Sequence, residues 1–556
     1  MRFGSFKVKT ESEMENVVCD VLVLGSGAAG LRAAISAREA GLDVLVLSKS
    51  GTGKSTCTGL AAGVMRGSDS SGAPAHLEGT LQAGRGINQP GLAEILSEQA
   101  PARLGELMKW GLKGEVRHGC MFAQGRPPIM GEELVRCLIR KNREMETRFM
   151  ENLTATSLVI ENGVAGLTAF ERKSGEQIAF SSGAVVLAAG GAAALFFRHN
   201  NPKRMLGDGW TLAIEAGALL QDIEFVQFYP VCLAEPGHAP LVIPPILADN
   251  GFLANEQGED ILKKYGIVER PAAMIARDRL SQALFQEIYR NGQGIFLDLR
   301  DVTEEQWQSD PFSAILRYTL GDRVGAVSRP LRVAPAAHHT MGGVKIDDRG
   351  ATSVPGLFAA GEVTGGLHGA NRMGGNALSE TQVFGAIAGN SAADWAKGSG
   401  AKERRSVLKR LDERFRAQQS IPYGETDFME RIRKIMWEDG GVVRNEAGLS
   451  RALGNMRGIL GEFSFSGPGS EKTLTPAQAG AIELRSAARA ASLILEAAIR
   501  RTESRGSHFR EDHPKQNDEQ WLGHLQVRTS PDGDVWEFIS QMDVASEIRQ
   551  TRIVRE

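Results

Sequence analysis

Residues 19–50, CDVLVLGSGAAGLRAAISAREAGLDVLVLSKS, run from an apolar strand through a glycine turn and a helix of small residues into a second apolar strand. Strands apolar on both faces belong inside a parallel sheet, so this stretch predicts a buried βαβ unit. Gly25, Gly27 and Gly30 form GxGxxG, with Ala28 and Ala29 opening the helix. The motif alone is weak. Between a strand and a helix at these distances it specifies a dinucleotide-type turn, with the helix N-terminus facing a pyrophosphate. Ser48 stands where many such units carry a ribose-binding acid, with Lys49 beside it. GTGKST, residues 51–56, lacks the first glycine of a phosphate-binding P-loop, because Ser48 occupies that place, and reads as a lysine-bearing turn.

Two more strands of the same kind follow, AVVLAAGGAA from Ala184, which contains Gly190, and GLFAAGEV from Gly356. Three such segments, widely spaced, predict an α/β fold with a discontinuous Rossmann-like flavin-binding domain, residues 1–222 and 338–400. The polar, mixed segment 223–337 predicts an inserted α+β cap. Residues 401–505, rich in Arg, Glu, Leu and Ala at helical spacing, predict a helical domain, and 506–556 a small C-terminal extension.

LFAAGEVTGGLHGANRMGGNALSETQVFGAIAG, residues 357–389, packs glycines around Glu362, one histidine and one arginine. Glycines let backbone N–H groups approach an electron-rich ligand. Gly361, Gly375, Asn376, Ala377 and Leu378 fall where the loop opens a helix. Glu362, at the strand end, is placed to accept from sugar or ribityl hydroxyls. Arg372 serves no purpose in a purely structural loop and reads as a carboxylate-binding fork; the plainer alternative is a surface salt bridge.

At 556 residues the chain has room for two to four domains and a buried cofactor. With 64 basic against 67 acidic residues, its charge gives no case for nucleic acid or an anionic membrane surface. Its five cysteines form no CxxC pair, which argues against an iron–sulfur cluster, a zinc site and a disulfide framework and for a cytoplasmic location. No apolar run is long enough to span a bilayer, and the N-terminus MRFGSFKVKTESEMENV has no signal-peptide core, so direct membrane insertion is not expected.

Five separated segments carry a resemblance: VLVLGSGAAGLRAA, RDRLSQA from Arg277, AAHHTMGGVKID from Ala336, GLHGANRMGGNAL from Gly366 and SRGSHFREDHPKQNDEQWLGH from Ser504. Together they resemble the flavoprotein subunit of succinate dehydrogenase and fumarate reductase, whose relatives include L-aspartate oxidase. The resemblance implies bound FAD and passage of a hydride between flavin N5 and the carbon beta to a carboxylate, with proton exchange at the neighbouring carbon. It implies that Arg277 is the proton donor or acceptor, that His338 and Arg372 grip a substrate carboxylate, and that His339 serves packing or flavin contact. It extends the cofactor set to Ser55, Thr56, Gly63 and Asp208. The residue types suit the chemistry, since negative charge spreading onto a carboxylate in the transition state favours donors aimed there.

Two departures matter. The family attaches flavin through a histidine in a segment like SHTVAAQGG, whereas STCTGLAAG here puts Thr56 in that position, so FAD is expected to be noncovalent. The family grips a second carboxylate with a histidine in FVQYHPTG and a threonine and glutamate in TEGCRG. Here Tyr229, Ile243 and Pro244 replace them, and Leu247 replaces the proton-relaying arginine. A free carboxylate buried against such residues costs roughly 2–5 kcal/mol. The substrate is then either a monocarboxylate with an apolar or bulky end over Ile243, Pro245 and Ile246, with Tyr229 donating one hydrogen bond, or His238 supplies the missing donor. Arg277 would draw protons through Asp249, Glu256 or water.

The leading expectation is a flavin-dependent oxidoreductase acting on a CH–CH bond, working with an iron–sulfur or other electron-transfer subunit that also accounts for any membrane association. The alternatives are L-aspartate oxidase-like amine oxidation and a non-catalytic electron relay.

Overall fold

The structure, a computed structural model, describes residues 15–67, 72–125, 129–398, 425–462 and 473–543. The signal-peptide reading of the N-terminus falls almost wholly on residues 1–14, outside the described residues, as do residues 401–424 of the expected helical domain.

The first apolar strand, Glu15–Leu24, pairs in parallel with Val44–Leu47 on one side and Gln177–Leu187 on the other, in register Leu24↔Leu47 and Leu24↔Leu187. Leu357–Ala359 continues the parallel set beside Gln177–Leu187, with Ala359 opposite Leu187. These four strands therefore end together, and the turns at Gly25, Ser48, Ala188 and Ala360 converge at their carboxyl ends, where ligands of open α/β sheets bind. The strand Arg148–Met150 and an antiparallel pair, Val164–Glu171 and Leu153–Ile160, complete seven strands.

The two helices that face this crossing point, Ala28–Glu39 and Asn376–Gly398, pack backbone to backbone. A Cβ on Gly385 would lie 2.8 Å from Ala29 O, and one on Gly389 2.3 Å from Ala33 O. Two glycines four apart thus leave a groove for the small-residue face of the first helix, which brings both N-termini to one place.

The inserted segment builds an antiparallel sheet of Val226–Leu233, Leu331–Thr340, Ile295–Asp298 and Phe252–Asn255, in that order, around its own apolar cluster. The Leu331–Thr340 strand runs unbroken through the boundary expected at 337/338, so the chain returns toward the first domain within a strand. Opposite it, Gln227 pairs with His339 and Phe228 with Ala337, leaving His338 as the extra residue of a β-bulge. The helix Arg277–Phe285 packs on the Val226–Leu233 strand, with Ser281 Oγ donating to Phe228 O at 3.1 Å.

Helices Glu425–Glu438, Glu446–Glu462 and Pro476–Arg500 form the helical part, the last started by a Thr475/Gln478 capping box. The tail forms a hairpin, Gly523–Ser530 and Gly533–Ser540, which pairs with Leu220–Gln221. Buried Arg501, held by Glu224 at 2.5 Å and Glu503 at 3.1 Å, ties it to the start of the inserted segment.

Replacing Gly389 by valine should lower unfolding stability by about 1–3 kcal/mol through overpacking against Ala33. Thermal denaturation checks this; an unchanged midpoint would contradict the close helix approach.

Candidate active site

The glycine turn separates into packing and binding roles. Gly25 has φ +120°, and a Cβ there would lie 2.1 Å from Ala188 O; a Cβ on Gly30 would lie 2.0 Å from Gly25 O. Gly27 is different, because its nearest neighbour would be Thr58 Oγ1 at 3.7 Å. Gly27, just before the helix that starts at Ala28, is thus in ordinary contact only with threonine side chains and is not packed against backbone as Gly25 and Gly30 are, which leaves room for a pyrophosphate to approach. Ala28 N donates to Thr58 Oγ1 at 3.1 Å, and Ala29 faces Gly361, whose φ of +77° needs a glycine. The chain fits FAD here.

Other expected cofactor residues are placed as follows. Ser48 is buried, its hydroxyl 2.9 Å from that of Ser26. Lys49 and Asp208 pair with each other at 2.5 Å, beside Arg204 and Glu483, and so act first as an internal ion pair tying the sheet to the long C-terminal helix. Ser55 has φ +54°, and Thr56 caps the Cys57–Leu60 turn by accepting from Gly59 N at 3.1 Å. Gly63, Gly190 and Gly375 all have positive φ. Asn376 begins the long helix but spends its amide on His76 at 2.8 Å and Thr80 at 2.9 Å; Ala377 and Leu378 follow in the same first turn. Glu362 accepts from Thr340 N at 3.1 Å, with His339 Nδ1 at 3.6 Å, and burial pushes its carboxyl up to about 7. His339, His368 and Glu380 bring potential ligand atoms within 4.8 Å of one another, but His368 and Glu380 already pair at 3.0 Å.

Beside this cradle two buried guanidiniums meet. Arg372 comes from the glycine loop, and Arg277 from the first position of its helix, with its Nη2 3.9 Å from where a Cβ on Gly374 would lie. Arg372 Nη2 donates to Gln227 Oε1 at 3.1 Å, and Gln227 in turn donates to Arg372 O and to Asn371. Arg277 Nε donates to Ala273 O at 3.2 Å. That leaves Arg372 Nε and Arg277 Nη1 buried without a partner. Burial, with repulsion from Arg277, pushes Arg372 down to about 9, and burial lowers Arg277 too. Two buried like charges near enough to repel, with idle N–H groups, are residues that could hold an anion.

His338 completes the group. The bulge turns its side chain out of the ladder, and burial together with Arg372 and Arg277 holds its pKa well below the usual imidazole value. The Tyr229 ring lies 5.7 Å from that of His338 and 5.3 Å from the Arg277 Cζ. Its hydroxyl, expected to donate to substrate, instead donates to Ile243 O at 2.8 Å. Tyr229 therefore offers a ring face to the site, because its one donor satisfies a buried carbonyl.

Ile243 and Leu247 are fully buried in the cap core, while Ile246 is 40% exposed. His238 sits in an exposed turn, bonded to Pro236 O, and does not replace the missing donor. Asp249 accepts from Ala272 N at 3.0 Å, and Glu256 is exposed. Asp278, which sequence reading passed over, lines the same small cleft as Arg277, Gln227, Ser281 and Asn371 and faces Arg85 at 3.6 Å.

Comparison with known proteins places the chain in a family. Residues 20–378 match the FAD binding domain family and residues 429–548 the fumarate reductase flavoprotein C-terminal family. A subunit of the CoM/CoB fumarate reductase of Methanothermobacter marburgensis is 34% identical, over 90% of this chain and 96% of that one. L-Aspartate oxidase of Streptomyces coelicolor is 31% identical, over 93% and 92%. Among solved structures, FrdA of E. coli quinol fumarate reductase superposes with a TM-score of 0.82 at 25% identity, covering 95% and 97% of the two chains. The chain therefore belongs to the fumarate reductase and succinate dehydrogenase flavoprotein family and is an FAD-dependent oxidoreductase.

Proposed function

We propose that the protein interconverts a carbon–carbon single and double bond next to a carboxylate, on a substrate with one carboxylate and an uncharged far end. The observation that carries this reading is the pair of buried guanidiniums with idle N–H groups beside a neutral imidazole. FAD, when bound, supplies the two-electron exchange, held by the Gly25–Gly30 turn, Glu362 and the first turn of the Asn376–Gly398 helix. Arg372, braced by Gln227, binds and orients the carboxylate, and His338 donates to it. These donors gain most as charge moves onto the carboxylate. Arg277 exchanges the proton at the adjacent carbon; its lowered pKa makes release easier than from a solvated guanidinium. Asp278 lines a small polar cleft with Arg277, which supplies a path for that proton. At the far end, the Tyr229 ring and the apolar cap residues exclude water and offer no partner to a second carboxylate.

None of the five cysteines is in a disulfide and none lies in a CxxC pair, so we take electrons to pass to or from another carrier. Relatives that bear the names of reductase subunits support an electron-transfer partner, which we take to be an iron–sulfur protein. Among the described residues no helix is long and apolar enough to cross a membrane. We take the location to be cytoplasmic, with membrane contact only through that partner, a reading supported by the free thiols.

Anaerobically reduced holoenzyme should be reoxidised by hydrophobic enoates far faster than by fumarate or iminoaspartate. Fumarate as the best oxidant would overturn the monocarboxylate reading, iminoaspartate would favour amine chemistry, and reoxidation only by a partner protein would favour a relay. Arg372→Ala should lower kcat/KM by about 10²–10⁴ while keeping most FAD, as expected for a buried charge-assisted pair; loss of FAD with unchanged kcat/KM per bound flavin would sink the clamp. Acid precipitation should leave the flavin in the supernatant, because Thr56 has no ring nitrogen to bond it; flavin in the pellet would contradict noncovalent binding.

A further inference from the structure

We propose that a one-way chain of uncharged donors, Asn201 to Asn200, fixes the proton of His338 on Nε2, which makes the two asparagines positioning residues for the carboxylate donor. The inference rests on the role given to His338 above.

The chain starts at the bulge. Because His338 is the extra residue of its strand, its carbonyl has no ladder partner across the sheet, and Asn201 Nδ2 donates to it at 2.8 Å. The same Nδ2 donates to Asn200 Oδ1 at 3.1 Å. With two oxygens in front of it, that atom of Asn201 must be the NH₂ group. The other end of the amide, Oδ1, accepts from Cys57 Sγ at 2.9 Å. Burial and the Glu362 carboxyl, to which Cys57 also hydrogen-bonds, raise the Cys57 pKa well above its ordinary value, so the thiol keeps its one proton between two acceptors, Asn201 Oδ1 and Glu362, and the orientation of Asn201 rests on the two oxygens at its other end.

Direction then passes to Asn200. Its amide lies against His338 Nδ1 with Nδ2 at 3.0 Å and Oδ1 at 3.1 Å, so distance does not choose between the tautomers. Satisfaction does. Asn200 Oδ1 keeps its donor from Asn201 whichever tautomer His338 adopts, whereas Nδ2 of the half-buried Asn200 has a protein acceptor only if Nδ1 carries a lone pair. The groups facing the ring also oppose a second proton: Arg372 and Arg277 are cationic, the Tyr229 ring covers one side, and Glu362 stands off beyond Cys57 and His339. A neutral ring with Nδ1 bare must carry hydrogen on Nε2, where it can donate to a carboxylate held by Arg372. The other tautomer would turn a lone pair toward that carboxylate.

The test reads the tautomer directly. In oxidised holoenzyme labelled with ¹⁵N-histidine, and with the signal assigned by its loss in His338→Gln, His338 should show a protonated Nε2 and a bare Nδ1, unchanged between about pH 6 and 8. Asn200→Asp places an acceptor against Nδ1. It should move the proton to Nδ1 or make the ring cationic, add an ionisation to the pH profile of kcat/KM, and lower kcat/KM about 10–100-fold, chiefly through KM, with FAD retained. Cys57→Ala should leave the tautomer unchanged, because the two oxygens in front of Asn201 Nδ2 set its orientation without the thiol. Protonated Nδ1 in the unmodified protein overturns the proposal, whether or not any variant folds. So does an Asn200→Asp enzyme whose spectrum and pH profile superimpose on those of the parent. If Nε2–H is found but no carboxylate shifts it, the tautomer chain stands and the substrate reading falls.

Discussion

Burying two guanidiniums near enough to repel each other is the constraint around which the site is organised. Arg277 and Arg372 are each more than nine-tenths shielded from solvent; burial lowers the proton affinity of both, and Arg277 lowers that of Arg372 further. Among the described residues no carboxylate pairs with either at contact distance. The repulsion is tolerated because each charge is held from a different element, Arg372 by Gln227 and Arg277 by the Ala273 carbonyl. A carboxylate arriving between them gains what the fold withholds, which is how a small anion can be bound strongly without a large contact area.

The scaffold makes this possible by convergence. Parallel strands in register end together, two helices joined by the Gly385 and Gly389 contacts present their N-termini to that end, and the inserted sheet lays Gln227, Tyr229 and His338 over it. The bulge is decisive in detail. It leaves His338 with no residue opposite it in the ladder, and the His338 carbonyl accepts from Asn201.

Much of this was legible in the sequence. Apolar runs bounded by glycines identify the parallel strands because both faces of such strands are buried, and GxGxxG together with Arg372 in a glycine loop points to a dinucleotide and an anion. What escaped are the residues whose meaning depends on distant partners. Gln227 and Arg372 are 145 residues apart, and Asn200 and His338 are 138 apart. An asparagine pair in HNNP has no periodicity or spacing that marks it. Tyr229 was legible as a replacement but not in its bonding, since its acceptor is a backbone carbonyl fixed only by the cap packing. Lys49 and Asp208 look like cofactor ligands one at a time and are seen to satisfy each other only when folded.

The central claim is that the guanidinium pair recognises one carboxylate and leaves the far end apolar. The most direct measurement is a flavin-absorbance titration of oxidised holoenzyme with a saturated hydrophobic monocarboxylate and with its isosteric amide. The account predicts that the acid binds at least about 100-fold more tightly than the amide, corresponding to about 2.7 kcal/mol of charge-assisted binding. Equal affinities for acid and amide would contradict it.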